Sequence, residues 1–127
     1  MVFHVARDFA GDFCIPLAPL APLKGAEMIS VVVPLYNEED NVLPLQHEIE
    51  TALSAIEHEL IFVDDSSKDR TLERIERKPD VRVLEFEKNS GQSAAIYAGV
   101  QAARGEVIVL LDGDLQNDPA DIPRLLA

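Results

Sequence analysis

The sequence predicts an α/β fold in which helices cover both faces of a parallel sheet. Two observations carry that prediction. From Met28 onward, short β-branched runs alternate with segments whose apolar residues recur every three or four positions. The runs are also apolar at successive positions rather than at every second one, the pattern of strands buried on both faces.

The elements follow in order. Ile29-Ser30-Val31-Val32-Val33 is the first strand, and Pro34 is expected to end it. Asn37 is expected to cap a helix whose apolar positions Val42, Leu45, Ile49, Ala52, Leu53 and Ile56 share one face, with Glu38 and Glu39 in its first turn. Leu60-Ile61-Phe62-Val63 is the second strand. Ser66 to Asp69 turn the chain into a short helix with Leu72 and Ile75 inward, closed by Pro79, and Asp69 suits its N-terminal cap. Val81-Arg82-Val83-Leu84 alternates more strongly, as a strand near an edge does. Gly91 opens a helix along Ala94, Ala95, Ala98 and Ala102, whose small side chains permit close approach to a sheet, and Gly105 ends it. Val107-Ile108-Val109-Leu110-Leu111 is the most hydrophobic strand. A last helix is expected from near Pro119 to Ala127.

Residues 1–27 show neither period and read as an extended or disordered leader, with Met28 as an alternative start. Residues 28–127 read as the first half of a larger domain, because the final helix has no strand after it.

Composition narrows the function classes. The 127 residues are 47% hydrophobic, enough for one core. Eleven Lys and Arg stand against 23 Asp and Glu, a formal net charge of -12 that repels nucleic acid. A phosphorylated small ligand would need a cation to screen it. The single cysteine, Cys14, allows no internal disulfide and no thiolate zinc cluster, which points to the cytosol. His4, His47 and His58 are scattered without metal-ligand spacing. No run reaches the roughly 20 apolar residues of a membrane helix. The nearest, residues 14–23, is interrupted by Pro16, Pro19 and Pro22. Asp8 and Asp12, with no basic stretch before them, do not suit a signal peptide.

Ligands of open parallel sheets bind beyond the carboxyl ends of the strands. Three polar clusters fall there: residues 34–40, 64–69 and 112–116. Asp112 and Asp114 are two residues apart beyond the most apolar strand, so in extended backbone both side chains could face one hard cation. An ordinary acidic turn, with Gly113 present for its dihedral freedom, is the plainer reading. One of Asp64 and Asp65 could accept from a base or ribose. Tyr36 could flank a base or pack on the sheet edge. Asn89-Ser90-Gly91-Gln92 precedes a helix whose free amides could meet an anion, or forms only a loop and a cap.

Together, Val33-Pro34-Leu35-Tyr36-Asn37-Glu38-Glu39, the run from Val63 to Thr71, Asn89-Ser90-Gly91-Gln92 and Asp112-Gly113-Asp114-Leu115-Gln116 resemble the family 2 glycosyltransferases of the GT-A fold. The last two elements look most like the polyprenyl-phosphate hexose transferases, the group that includes dolichyl-phosphate mannosyltransferase. The resemblance spans about residues 29–127. It implies a Rossmann-like nucleotide-binding half of a GT-A domain. Its function would be hexose transfer from a UDP- or GDP-linked sugar to a polyprenyl or dolichyl phosphate at the cytoplasmic face of a membrane, with Mg²⁺ or Mn²⁺. By the same resemblance Pro34, Tyr36, Asn37 and Glu38 line the nucleotide pocket, Asp64 holds the base and Asp65 supports it. Gln92 approaches the diphosphate, with Asp112, Gly113 and Asp114 beside it, and Asp112, Asp114 and Gln116 gather the metal. Asp112 and Asp114 are thereby the catalytic residues. Ser66 stands where many relatives have Gly, which stiffens the loop and removes no ligand.

The acceptor half of the GT-A domain is not written in these residues. The isolated chain is therefore expected to be inactive in transfer and prone to self-association. A truncated, non-catalytic nucleotide-binding fragment is the alternative function. A nicotinamide-dependent oxidoreductase is disfavoured because no G-x-G-x-x-G follows the first strand. A receiver-type phosphorylation domain is disfavoured because no phosphoacceptor Asp follows Val81–Leu84.

Overall fold

The structure is a computed structural model that describes residues 2–4, 6–7, 13–14 and 28–113. In chain order its elements are β1 (Val2–His4), β2 (Ala6–Arg7), β3 (Phe13–Cys14), β4 (Ile29–Leu35), α1 (Val42–Ala52), β5 (His58–Asp64), α2 (Thr71–Arg74), β6 (Val81–Glu85), α3 (Gln92–Ala102) and β7 (Val107–Leu110). The helix expected from Pro119 lies outside the described residues.

The main sheet has the order β1-β7-β4-β5-β6. The four strands from β4 onward are mutually parallel, and β1, from the leader, adds an antiparallel edge beside β7. A separate pair joins β2 and β3. β6 lies at the opposite edge, as its alternation predicts.

Alternate residues of the buried strands feed two cores. Val31, Val33, Leu35, Leu60, Phe62, Val107 and Val109 face α1 and α2, where Val42, Leu45, Ile49, Leu53 and Ile75 meet them. Val32, Ile61, Val63 and Ile108 face α3, against Ala95, Val100 and Ala103. Continuous apolar strands therefore have helices on both faces, as the sequence predicts. The tight seam of α3 is set by Ala95 and Gly99 rather than by an alanine row: Ala94, Ala98 and Ala102 are only partly buried. A Cβ at Gly99 would lie 2.3 Å from Val32 Cγ1, so only glycine admits the helix this close.

Three local expectations change. Pro34 does not end the first strand, because β4 continues to Leu35. The bonds from Leu111 N–H to Val32 O and from Asp65 N–H to Leu35 O show that even-numbered residues at this end turn their amides toward β7. β7 pairs with β4 only as far as Val32, so the N–H that Pro34 lacks has no strand to meet. Asn37 does not cap α1. The helix starts after Asn41, and Glu38 and Glu39 sit in the turn before it, where Glu38 O accepts from Val42 N–H at 2.9 Å. Finally, α3 ends at Ala102, three residues before Gly105.

Candidate functional site

Strand order reverses between β4 and β7. The chain leaves β4 over one face through α1 and reaches β7 from α3 on the other. The diverging connections leave a crevice at the carboxyl ends of these two strands, the place where open α/β sheets hold ligands. A cleft occupies it, lined from four segments: Pro34, Leu35, Tyr36 and Glu38 at and beyond the end of β4, Asp65 after β5, Asn89, Gly91, Gln92 and Ala95 around the start of α3, and Asp112 and Gly113 after β7.

Seven expected site residues thus meet in one cleft: Pro34, Tyr36, Glu38, Asp65, Gln92, Asp112 and Gly113. Tyr36 is 43% exposed, an aromatic ring available to a ligand. Gln92 Nε2 donates to Asp112 Oδ1 at 3.2 Å, so α3 and β7 present one polar group between them. Gly113 is there for space rather than for dihedral freedom. Its φ is not positive, but a Cβ would lie 2.8 Å from Leu35 Cδ2 and 3.2 Å from Pro34 O.

The adjacent acids Asp64 and Asp65 take different positions. Asp64 is fully buried and does not line the cleft; its two oxygens accept from the Ser67 N–H and the Ser67 hydroxyl. Asp65 lines the cleft, and its oxygens accept from Ser90 N–H at 2.7 Å and Gly91 N–H at 2.9 Å. One carboxylate shapes its own loop, and the other ties that loop to the start of α3. Asn37 also lies off the cleft. At φ 54 it turns its amide oxygen to Lys68 N–H at 2.8 Å.

Asp69 is not the N-cap of α2: Arg70 holds that position, and Asp69, one residue earlier, instead ties the helix start to the loop after β4. Oδ1 accepts from the N–H and hydroxyl of Thr71, the first residue of α2, and Oδ2 accepts from Glu39 N–H. Burial pushes the Asp69 carboxyl up, and the Thr71 and Glu39 bonds outweigh it, holding the group below the usual aspartate value.

Leu35, Asn89, Gly91 and Ala95 line the cleft without having been assigned a role from sequence. Asn89 and Gly91 belong to a motif that was noticed, and Gly91 at φ 96 makes the bend into α3. Leu35 and Ala95 carry no chemical signal beyond their place at the ends of a strand and a helix.

The donors at the cleft are hard oxygens, which suit a divalent cation in kind. Gln92 engages Asp112 through Oδ1 alone. Among the described residues no three His, Cys, Asp or Glu side chains gather into a metal-holding group. Asp114 and Gln116, the other expected ligands, lie outside the described residues.

A parallel sheet with a polar cleft at its reversal point defines a Rossmann-like α/β domain of the GT-A kind. Residues 30–127 match glycosyl transferase family 2, and the chain belongs to that family. It is 42% identical over 113 residues to the dodecaprenyl-phosphate galacturonate synthase of Rhizobium johnstonii, covering 84% of this chain and 33% of that protein. It is 40% identical over 101 residues to the dolichol-phosphate mannosyltransferase of Pyrococcus furiosus, covering 77% and 29%. Among solved structures, a mannosyltransferase from Pyrobaculum calidifontis in complex with GDP-Man and Mn²⁺ superimposes with a TM-score of 0.68 at 25% identity, over 80% of this chain and 32% of that one. The chain spans about a third of the length of the curated relatives it matches.

Proposed function

We propose that this chain supplies the donor site of a glycosyltransferase that moves a hexose from a UDP- or GDP-linked sugar to a polyprenyl or dolichyl phosphate. The observation that carries the reading is the convergence of Tyr36, Glu38, Asp65, Gln92 and Asp112 on one cleft where the strand order reverses. Relatives named for transfer to dodecaprenyl, undecaprenyl and dolichol phosphates support the acceptor class. Among the described residues no helix is long and apolar enough to cross a membrane. The reading has the domain meet its lipid acceptor at the cytoplasmic face of a membrane.

In this reading Tyr36 flanks the base, and Asp65, at the cleft, takes the base-holding role in place of the enclosed Asp64. Pro34 and Glu38 line the pocket wall, while Asn37 shapes the segment between them. Gln92 orients Asp112 and meets the diphosphate side. Asp112, Asp114 and Gln116 would hold Mg²⁺ or Mn²⁺. Bound there, the cation supplies Lewis-acid stabilisation of the departing diphosphate. An acceptor phosphate is already anionic, so the residues need position it rather than deprotonate it.

Calorimetric titration of UDP and GDP, with Mn²⁺ and again in excess chelator, tests both parts. Metal-dependent binding of one nucleotide is expected. Tight binding in chelator would overturn the metal assignment, and no binding of either nucleotide with metal would overturn the donor site.

A further inference from the structure

Three consecutive backbone N–H groups, those of Asn37, Glu38 and Glu39, donate to side chains of the loop after β5 and of the first residue of α2. Their acceptors are Ser67 Oγ at 2.9 Å, Thr71 Oγ1 at 2.8 Å and Asp69 Oδ2 at 3.3 Å. Two of these acceptors are hydroxyls whose protons are already committed. Ser67 donates to Asp64 Oδ1, and Thr71 donates to Asp69 Oδ1. A hydroxyl has one proton, and once that proton is given to a carboxylate only lone pairs face its other neighbours. The carboxylates therefore hold both hydroxyls as acceptors aimed at the backbone of the preceding loop. Each relay runs from carboxylate to hydroxyl to amide. Lys68 N–H returns a bond to Asn37 Oδ1 at 2.8 Å.

The segment held in this way carries Tyr36 and Glu38 into the cleft. Asn37 between them sits at φ 54, a left-handed conformation that asparagine tolerates better than most residues with a Cβ. Thr71 is fully buried and does not line the cleft. Its effect on a ligand is indirect, through Glu38 N–H and, by way of Asp69, Glu39 N–H.

We propose that Thr71, with Ser67 beside it, is a positioning residue for the donor nucleotide, holding the Tyr36–Glu38 segment in its binding geometry through the two hydroxyl relays. The inference rests on the donor-site reading above. It gives the Val63–Thr71 run a second task, since Asp64 and Asp69 serve the site by orienting hydroxyls and need not touch the ligand.

Thr71→Val keeps shape and removes the hydroxyl, leaving Glu38 N–H without its acceptor while Asp69 Oδ1 keeps the bond from the backbone N–H of residue 71. With Mn²⁺ present, its Kd for UDP or GDP, whichever the parent chain binds, is expected to rise about tenfold. Thr71→Ser restores the hydroxyl and is expected to return affinity to within about twofold. Amide exchange at Glu38 should quicken in Thr71→Val and not in Thr71→Ser. Ser30→Ala, at the opposite end of the sheet, is the control for general destabilisation and should bind as the parent does. If Thr71→Val does not fold, Ser67→Ala, at a partly buried position, decides by the same binding measurement, with amide exchange read at Asn37, whose N–H Ser67 accepts.

Parent-like affinity in Thr71→Val, equal weakness in Thr71→Ser, or equal weakness in Ser30→Ala would each overturn the positioning role while leaving the donor site standing. A parent chain that binds neither nucleotide would overturn the donor site, and this inference with it.

Discussion

Gln92 Nε2 donates to Asp112 Oδ1 across 3.2 Å, joining the first residue of α3 to the first acid beyond β7. The bond thus joins two of the segments that line the cleft, the start of α3 and the turn after β7. An amide donor to a carboxylate leaves the negative charge in place while fixing its direction.

Removing the charge should therefore matter more than removing the donor. Asp112→Asn is expected to abolish the Mn²⁺ dependence of nucleotide binding, whereas Gln92→Ala should weaken binding only about threefold and keep the dependence. Calorimetry of both variants, with and without metal, separates the two effects.

Ser66 occupies φ 61, a region costly for any residue with a Cβ. Ser66→Gly relieves that strain against a larger entropy loss on folding, for a net gain of about 0.5 kcal/mol. Urea denaturation should show a higher midpoint, and an unchanged or lower one would mean that the loop relaxes around serine. The sequence reading of Ser66 as a stiffening substitution thus acquires a dihedral cause.

Gly99→Ala places a methyl 2.3 Å from Val32 Cγ1 and 3.1 Å from Val63 Cγ2. Helix propensity favours the change by about 1 kcal/mol, but forcing α3 off the sheet costs about 1–3 kcal/mol. A lowered thermal midpoint is expected, with Ala95, one turn earlier on the same face, pushed from its packing.

Glu59 is a buried residue near the start of β5, at the end of the sheet far from the cleft. It accepts from Ser30 Oγ at 2.6 Å, Arg104 N–H and Arg82 Nη1 at 3.1 Å. Burial pushes its carboxyl up, and the Ser30, Arg104 and Arg82 contacts outweigh burial and hold it below the usual glutamate value. A carboxyl lowered by folding contributes stability that is full above its unfolded pKa and is lost as pH falls through the folded value. Denaturation midpoints of the parent chain should thus drop in acid. Glu59→Gln should cost about 1–3 kcal/mol at neutral pH and flatten that acid slope. A slope equal to the parent's would assign the acid loss to other groups.

Local pattern was enough to reveal the sheet and its two covered faces. Five or so successive apolar residues cannot be satisfied by one buried face, and the spacing of Val42, Leu45 and Ile49 admits only a helix packed on one side. The rule that ligands sit beyond strand ends then gathered Tyr36, Glu38, Asp65 and Asp112 at one edge, and the motif at the start of a helix added Gln92.

Tertiary structure alone decided what each of these residues does there. Alternation along β5 says that Asp64 and Asp65 point to opposite sides, but not which side Ser67 folds back to cover. Pro34 reads as a strand end until β7 is seen to stop at Leu110, leaving no acceptor for the missing amide. Asn37 reads as a cap until Lys68, 31 residues later, takes its side-chain oxygen. Burial is a property of a residue and its near neighbours, so periodicity records it. A hydrogen-bond partner from another loop exists only once the sheet has brought the two loops together.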